Sequence, residues 1–427
     1  MADNQVIAAL QIENSEIRIL VGQFFNDSFN VLLRHSGVCR GMDGIRIIDE
    51  SKAVDSVRNA VNEVSQKLSA PLESVLLIIP AHRFKREKRS VDLLLEDHVV
   101  GYGDIRSVIR EAYRTNVGND YEIINATSSS YKINSITYPR IPLGEKGDML
   151  SSEVDLICGD RLITHDYVSL IEKAGLKIID ICQDGYAGCR EAAIFEQSYN
   201  CYIVNIYLSG CHSVYSLIYN GRLVAGFSVN KGYNSLIRPI MEKYHLSYRD
   251  ASRMLFRYGR IGQSEGANRL INRWKDGDTE YSITYDKLQK CIQEASESFI
   301  YNICSYCHNI VDYENLSVIL TGQGASLQDI DQVLQQRFDR KVTCYCPDKL
   351  GVRETRWTAL LGIFYEYKET EKINETRKCS VDMDVYREHL LPEDEDPSDE
   401  NSITGRLKSI TDKLFVEEEY EEENENS

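Results

Sequence analysis

The sequence predicts an α/β protein of two related lobes around a cleft, and three stations along the chain carry that expectation. At the first, Ile7–Ile12 and Ile17–Gln23 are apolar runs joined tightly at Glu13-Asn14-Ser15. At the second, Tyr202–Leu208 and Ser213–Tyr219 repeat the arrangement around Ser209-Gly210, and Arg222–Val229 follows the Asn220-Gly221 turn as a third strand. At the third, LSVILTGQGAS, the strand Val318–Leu320 runs into Gly322-Gln323-Gly324, after which Leu327, Ile330, Val333 and Leu334 recur at helical spacing. Glycines let backbone approach a ligand, and a helix start favours negative charge, so such a turn suits a nucleotide.

The remaining elements follow in order. A third strand is expected near Phe29–Leu33. Val54, Val57, Val61, Val64 and Leu68 mark an amphipathic helix, and Ser74–Ile79, closed by Pro80, reads as a buried strand. From Arg83 the pattern changes to that of an inserted subdomain. Basic residues crowd Lys85–Arg89, strand-like Val91–Leu95 follows, and Asp104 is placed to cap a helix carrying Ile105, Val108, Ile109 and Ala112. Strand-like runs at Tyr121–Thr127, Tyr131–Ile136 and Val154–Ile157 complete it. A helix near His165–Ala174, a strand at Ile178–Cys182 and a helix at Ala187–Glu196 lead to the second station. Helices at Ser235–Tyr244 and Tyr248–Tyr258, a polar strand-poor stretch and a long helix at Asp286–Val311 precede the third. A short strand at Val342–Thr343 and a helix at Thr355–Tyr367 end the regular patterning. His389–Asn401 is acidic, carries two prolines and is expected to be disordered.

The chain has 427 residues, enough for several domains, and no apolar run of transmembrane length. Its start lacks a basic, apolar leader, which points to the cytosol. The net charge of −17 is uneven: Glu369–Ser427 carries −13, so the body is nearly neutral and nothing favours nucleic acid. Twelve cysteines without framework spacing read as reduced, buried small residues. Cys304-Ser-Tyr-Cys307-His308 matches a haem-attachment pattern but falls inside a helix, and haem is not expected there. Near the C-terminus, Ile403, Leu407, Ile410 and Leu414 share one helical face beside Phe415, flanked by Arg406, Lys408 and Lys413.

Taken together, IAALQIENSEIRILVGQ, GDIRSVIREAY, LITHDYVSLIEKAGLKIIDI, LSVILTGQGAS and RWTALLGIFYE resemble segments of the bacterial cell-division protein family FtsA. The resemblance spans residues 5–416. It implies a duplicated actin-like (ribonuclease H-like) fold with an inserted 1C subdomain. It divides the chain into subdomain 1A (1–83 and 161–197), 1C (84–160), 2A (198–230 and 302–368) and 2B (231–301), an acidic linker (369–401), a membrane-targeting helix (402–416) and an acidic tail (417–427). It implies ATP and Mg2+ as cofactors, self-association into filaments, and binding of the FtsZ C-terminal peptide to 2B, where Arg257, Arg260, Arg269, Arg273 and Lys275 are candidates. It also implies that Arg406, Leu407, Lys408, Ile410, Lys413, Leu414 and Phe415 attach the protein to an anionic cytoplasmic membrane at the division site.

The departures fall where the family does chemistry. Its opening Asp-Ile-Gly-Thr-Ser is here Gln11-Ile12-Glu13-Asn14-Ser15, and its Asp-Ile-Gly-Gly-Gly-Thr-Thr-Asp is Asn205-Ile206-Tyr207-Leu208-Ser209-Gly210-Cys211-His212. Ser252 and Leu255 stand where the family has a Glu and a Lys, while its catalytic carboxylate matches Asp184. Phosphoryl transfer needs charge neutralisation and close backbone donors, and Glu13 would repel phosphate. The expectation is therefore an actin-like pseudo-ATPase scaffold. Any residual nucleotide pocket would be lined by Gln11, Asn14, Ser15, Asn205, Ser209, Gly210, Ser252, Gly322, Gln323 and Gly324. An active ATP-dependent polymerising protein and a PilM-like membrane assembly adaptor are the alternative readings; the lost aspartates argue against the first and the C-terminal helix against the second.

Overall fold

A computed structural model describes residues 5–388, apart from 26–27, 263–267, 277–278, 309, 311–312 and 375–377. The chain opens with β1 (Val6–Glu13), β2 (Glu16–Phe25) and β3 (Ser28–Val38), a small hairpin of β4 (Met42–Asp43) and β5 (Arg46–Ile47), α1 (Glu50–Leu68) and β6 (Ser74–Ile79). All eight residues of β1 are buried, because helices cover both faces of its sheet, and this is why it reads as a continuous apolar run. Asp49 caps α1 by accepting from the Lys52 amide at 3.1 Å, and Ser69 ends it in the left-handed region.

The insert comprises β7 (Lys85–Leu94), α2 (Tyr102–Ala112), β8 (Tyr121–Ile133), β9 (Ile136–Tyr138) and β10 (Met149–Asp160), in a sheet ordered β7-β10-β8-β9. Next come α3 (Arg161–Lys173), β11 (Lys177–Gln183), α4 (Asp184–Glu191) and α5 (Ile194–Gln197). The second lobe contains β12 (Tyr202–Leu208), β13 (Ser213–Tyr219), β14 (Arg222–Val229), α6 (Asn234–Tyr244), α7 (Tyr248–Tyr258), β15 (Leu270–Asp276), β16 (Thr279–Thr284) and α8 (Tyr285–Cys307). It continues with β17 (Leu316–Thr321), α9 (Ile330–Phe338) and β18 (Val342–Cys344), and α10 (Thr358–Asn374) and α11 (Met383–Glu388) complete the described chain.

The duplication is explicit in the two large sheets. One is ordered β3-β2-β1-β6-β11 and the other β14-β13-β12-β17-β18. Each is an antiparallel meander whose first strand then pairs with a parallel strand, and that strand with another. Helices α4 and α10 lie in a shared apolar core with Ile7, Leu76, Ile203 and Ile319 from both sheets. They cross closely: a Cβ on Gly362 would overlap the Ala187 carbonyl, so only glycine fits.

Several expectations are corrected. The basic run Lys85–Arg89 lies within β7, and β8 passes unbroken through Ser128–Ser130, because β10 pairs with both and absorbs the irregularity as register shifts. Asp104 does not cap α2 from outside; it sits in the first turn and accepts from the Gly101 amide at 2.9 Å. The expected helix at Ala187–Glu196 is two helices, broken at left-handed Ala193. The polar stretch before α8 contains the β15–β16 ribbon, in which Trp274 stacks on its cross-strand partner Tyr281 at 5.6 Å; β15 lacks apolar alternation, and β16 alternates only at Tyr281 and Ile283. No α-helix begins at the glycine turn. A 3-10 turn spans Gln323–Ser326, Leu327 is extended and Asp329 left-handed, so α9 starts only at Ile330.

Regular structure also outlasts Tyr367. Helix α10 runs to Asn374, and the stretch after it is docked rather than part of a loose linker. Ser380 donates its amide to the Val6 carbonyl and accepts from the Ala8 amide on its hydroxyl, both at 2.8 Å, while Val381 and Tyr386 join the core behind the first sheet. His389–Asn401 and the 402–416 helix fall outside the described residues.

Candidate functional site: a cleft closed by its own side chains

The two hairpin turns meet. Asn14 and Ser15 take left-handed conformations at φ 52° and 61°, which Asn tolerates well, and project the β1–β2 turn toward the β12–β13 turn. There a Cβ on Gly210 would overlap the Asn14 amide, so Asn14 occupies the space the glycine opens. Its Oδ1 accepts from the Cys211 thiol at 3.2 Å, and its Nδ2 donates to the Tyr233 hydroxyl at 2.9 Å. Tyr233 in turn donates to Gln323 Oε1 at 2.8 Å, and its ring packs edge-on against Phe256 of α7. One buried phenol thus joins the first turn, the glycine turn of the third station and α7. Burial pushes its pKa well above the ordinary tyrosine value, so it stays neutral.

Glu13 does not stand as an isolated repulsive charge. It forms a buried ion pair with Arg18, three positions beyond the turn. The guanidinium also reaches Glu16 at 3.6 Å and donates to the Arg356 carbonyl, and it is fully buried. A charge pair taken out of water this completely requires such multiple partners. Above it, Gln11 donates to the buried Tyr207 hydroxyl at 3.3 Å, and Tyr207 packs against Gly322.

Asp184 begins α4 and is spent on structure. Its Oδ1 accepts from the Gly185 amide at 2.7 Å and the Ala81 amide at 3.1 Å, and its Oδ2 pairs with His212 Nε2 at 2.8 Å. Burial alone would depress the His212 imidazole, but the Asp184 charge and hydrogen bond outweigh it and hold its pKa above the ordinary value. Asn205 accepts from the Thr321 hydroxyl at 2.9 Å; Ser209 is buried, and Ser252 is half-buried on α7.

Tested against Mg-ATP, this residue set does not fit. Phosphates need open space lined by amides and cations. Here the space between the turns holds Asn14, the cation is already paired with Glu13, and Tyr233 spans from the first turn to the glycine turn. No cluster of metal-ligating side chains exists among the described residues. Arg18, Tyr207, His212 and Tyr233 were not among the sequence candidates. Arg18 carried a signal: a lone cation inside the apolar strand EIRILVG must be neutralised locally.

The candidate partner-binding residues are spread over α7, the segment after it and β15. Arg257 is exposed beside the Tyr258 ring, and Arg260 is engaged with Asp329 at 3.5 Å. Arg269 and Arg273 are exposed at β15, and Lys275 is on the same strand. The membrane candidates Arg406, Leu407, Lys408, Ile410, Lys413, Leu414 and Phe415 lie outside the described residues.

No family model matches the chain. Among curated proteins, it is 22% identical to the cell division protein FtsA of Bacillus subtilis, over 85% of this chain and 83% of that one. It is 19% identical to FtsA of Enterococcus hirae, over 97% and 100%, and 21% identical to FtsA of Neisseria meningitidis serogroup B, over 84% and 89%. Among solved structures, a chain of the PilM-PilN type IV pilus biogenesis complex superposes with a TM-score of 0.56 at 10% identity, covering 83% of this chain and 96% of that one. MreB5 of Spiroplasma citri bound to AMPPNP gives 0.51 at 11% identity, over 87% and 98%. With two sheets of matching order and a cleft between paired hairpins, the chain has the actin-like ATPase fold, and it is similar to FtsA proteins over most of its length.

Proposed function

We propose that this protein is a cell-division scaffold of the FtsA type that tethers FtsZ polymers to the cytoplasmic face of the membrane without ATP turnover. The observation that carries the reading is the similarity to FtsA proteins along essentially the whole chain, reaching 97% of its length. The filled cleft supports the pseudo-ATPase part: the elements that would surround a nucleotide are joined to each other by Tyr233, Asn14 and the Glu13–Arg18 pair. No described helix is long and apolar enough to cross a membrane. Attachment is assigned to the terminal segment around Leu407, Ile410, Leu414 and Phe415. Each of these contributes roughly 1.5–3 kcal/mol when buried, offset in part by folding the helix and by the glutamate tail. A single helix binds reversibly, and filament formation holds the protein in place by avidity.

The test is co-sedimentation of full-length protein with anionic liposomes and an FtsZ C-terminal peptide. Full-length protein should carry the peptide to the pellet. A chain ending at Asn401 should leave it in the supernatant, and Arg269→Glu/Arg273→Glu should pellet without it. If the truncated chain pellets as well as the full chain, the terminal segment is not the anchor. If the double reversal leaves peptide capture unchanged, β15 is not the docking site.

A further inference from the structure

A groove of about 750 Å3 lies beside the closed cleft, on the outer side of the Gly210-Cys211 turn. Both lobes build it: the β4–β5 hairpin forms one wall, and α6 and α8 form the other. Its charge is out of keeping with the molecule. The body is slightly acidic, yet the groove is lined by Arg46, Lys231 and Arg238 against one carboxylate, Asp43.

Most cations nearby are already neutralised. Arg18 is paired with Glu13, Arg356 with Glu16, and Arg86 with Asp155. Among the described residues, Arg46 and Arg238 have no ion pair, although Asp43 is the strand neighbour of Arg46. Lys231 donates only to the neutral Asn302 amide, at 3.2 Å. Cations left unpaired in a cleft with low-dielectric walls focus a positive field within it. Helix α6, eleven residues long, begins at this wall and adds its positive end to that field.

The groove is sized for a small molecule rather than a protein segment, since small-ligand cavities run roughly 300–1,000 Å3. Guanidinium groups bind phosphate through paired charge-assisted hydrogen bonds, and here one arginine comes from each lobe. Phe299 and Tyr306 of α8 supply an aromatic flank for an uncharged part of the ligand. We propose that this groove is a binding site for a phosphorylated small molecule, gripped by Arg46 from one lobe and Arg238 and Lys231 from the other. Bound there, the ligand ties the β4–β5 hairpin to α6 and stiffens the molecule across its cleft. The site lies on the other side of the Gly210-Cys211 turn from Asn14 and Tyr233, which are bonded to each other.

The experiment is calorimetric titration of full-length protein with sodium pyrophosphate in the absence of divalent cations. Saturable binding to one site is expected. Arg46→Ala and Arg238→Ala should each weaken it about tenfold, the loss expected for one charge-assisted pair. Arg253→Ala, an exposed change on α7 outside the groove, should leave it unaltered, as should Tyr233→Phe. Both groove arginines are exposed, and unchanged melting temperatures would confirm that the variants fold. The proposal is overturned if pyrophosphate gives no saturable heat, or if Arg253→Ala weakens binding as much as the groove variants. It is equally overturned if Tyr233→Phe alone abolishes binding, which would place the ligand in the closed cleft.

Discussion

At the residue scale, the decisive substitution is not Glu13 alone but Glu13 together with Arg18. A carboxylate at a phosphate-binding turn would be costly without a partner; paired, it becomes a buried cross-brace between β1, β2 and the Arg356 backbone. Removing one member leaves an uncompensated buried charge. Arg18→Met should therefore destabilise the fold by about 3–5 kcal/mol, and Glu13→Gln/Arg18→Met should recover a large part of that. Urea unfolding of the three proteins checks this; a single-variant loss under about 1 kcal/mol would mean that the pair is not structural.

Glu191 makes a second residue-scale prediction. Burial at the α4 end raises its carboxyl to about 8, despite the Tyr345 hydroxyl at 3.0 Å. The folded state therefore holds a proton that the unfolded chain releases near the ordinary value of 4.5. Between those values the native state binds more protons, so this group's contribution to stability falls as pH rises from 4.5 to about 8 and then levels off. Glu191→Gln should remove that fall and be more stable than the parent at pH 8, on the order of 1–3 kcal/mol, with little difference at pH 4.5. His212 acts in the same direction. Its pKa is raised in the fold, so its link to Asp184 contributes fully below 6.5 and is lost as pH climbs through the folded value. Denaturation midpoints across pH for parent and Glu191→Gln test the assignment, and parallel profiles would refute it.

At the element scale, the segment after α10 is a clip on the first sheet. Ser380 satisfies backbone groups of β1, its carbonyl accepts from the Glu73 and Ser74 amides, and Val381 bridges to Leu72. A chain ending at Asn374 should lose about 3–6 kcal/mol, from exposing the partners of Val381 and Tyr386 and orphaning those amides. A chain ending at Glu388 should match the full-length protein in urea. If both truncations unfold at the same denaturant concentration, the clip does not hold.

At the scale of the whole molecule, the lobes are bonded directly across the cleft: Gln11 to Tyr207, Asn14 to Tyr233, Asp184 to His212, and Asn230 to His82 at 3.2 Å. These bonds join the lobes without any ligand between them. Millimolar Mg-ATP should consequently leave the melting temperature unchanged. A site of about 10 μM affinity would add roughly 2.7 kcal/mol at about 1 mM ligand, which is readily seen. A shift of that size, abolished by a bulky residue at Gly324, would reopen the closed cleft as a nucleotide site.

The sequence by itself determined most of the strand and helix order and the duplication, and it showed where the phosphate-loop motifs depart from the family pattern. Continuous apolar runs such as Ser74–Ile79 and Tyr202–Leu208 can only be buried strands, and a missing aspartate is visible without coordinates. What the side chains at those loops bond to was decided by tertiary structure alone. Tyr233 looks like an ordinary core aromatic until Asn14, 219 residues earlier, and Gln323, 90 residues later, are found on its hydroxyl. Hydrogen bonds across such separations leave no local periodicity to read. The same holds for the Trp274–Tyr281 ring stack across the β15–β16 ribbon, and for Ser380, a polar residue buried because β1 has amides to satisfy.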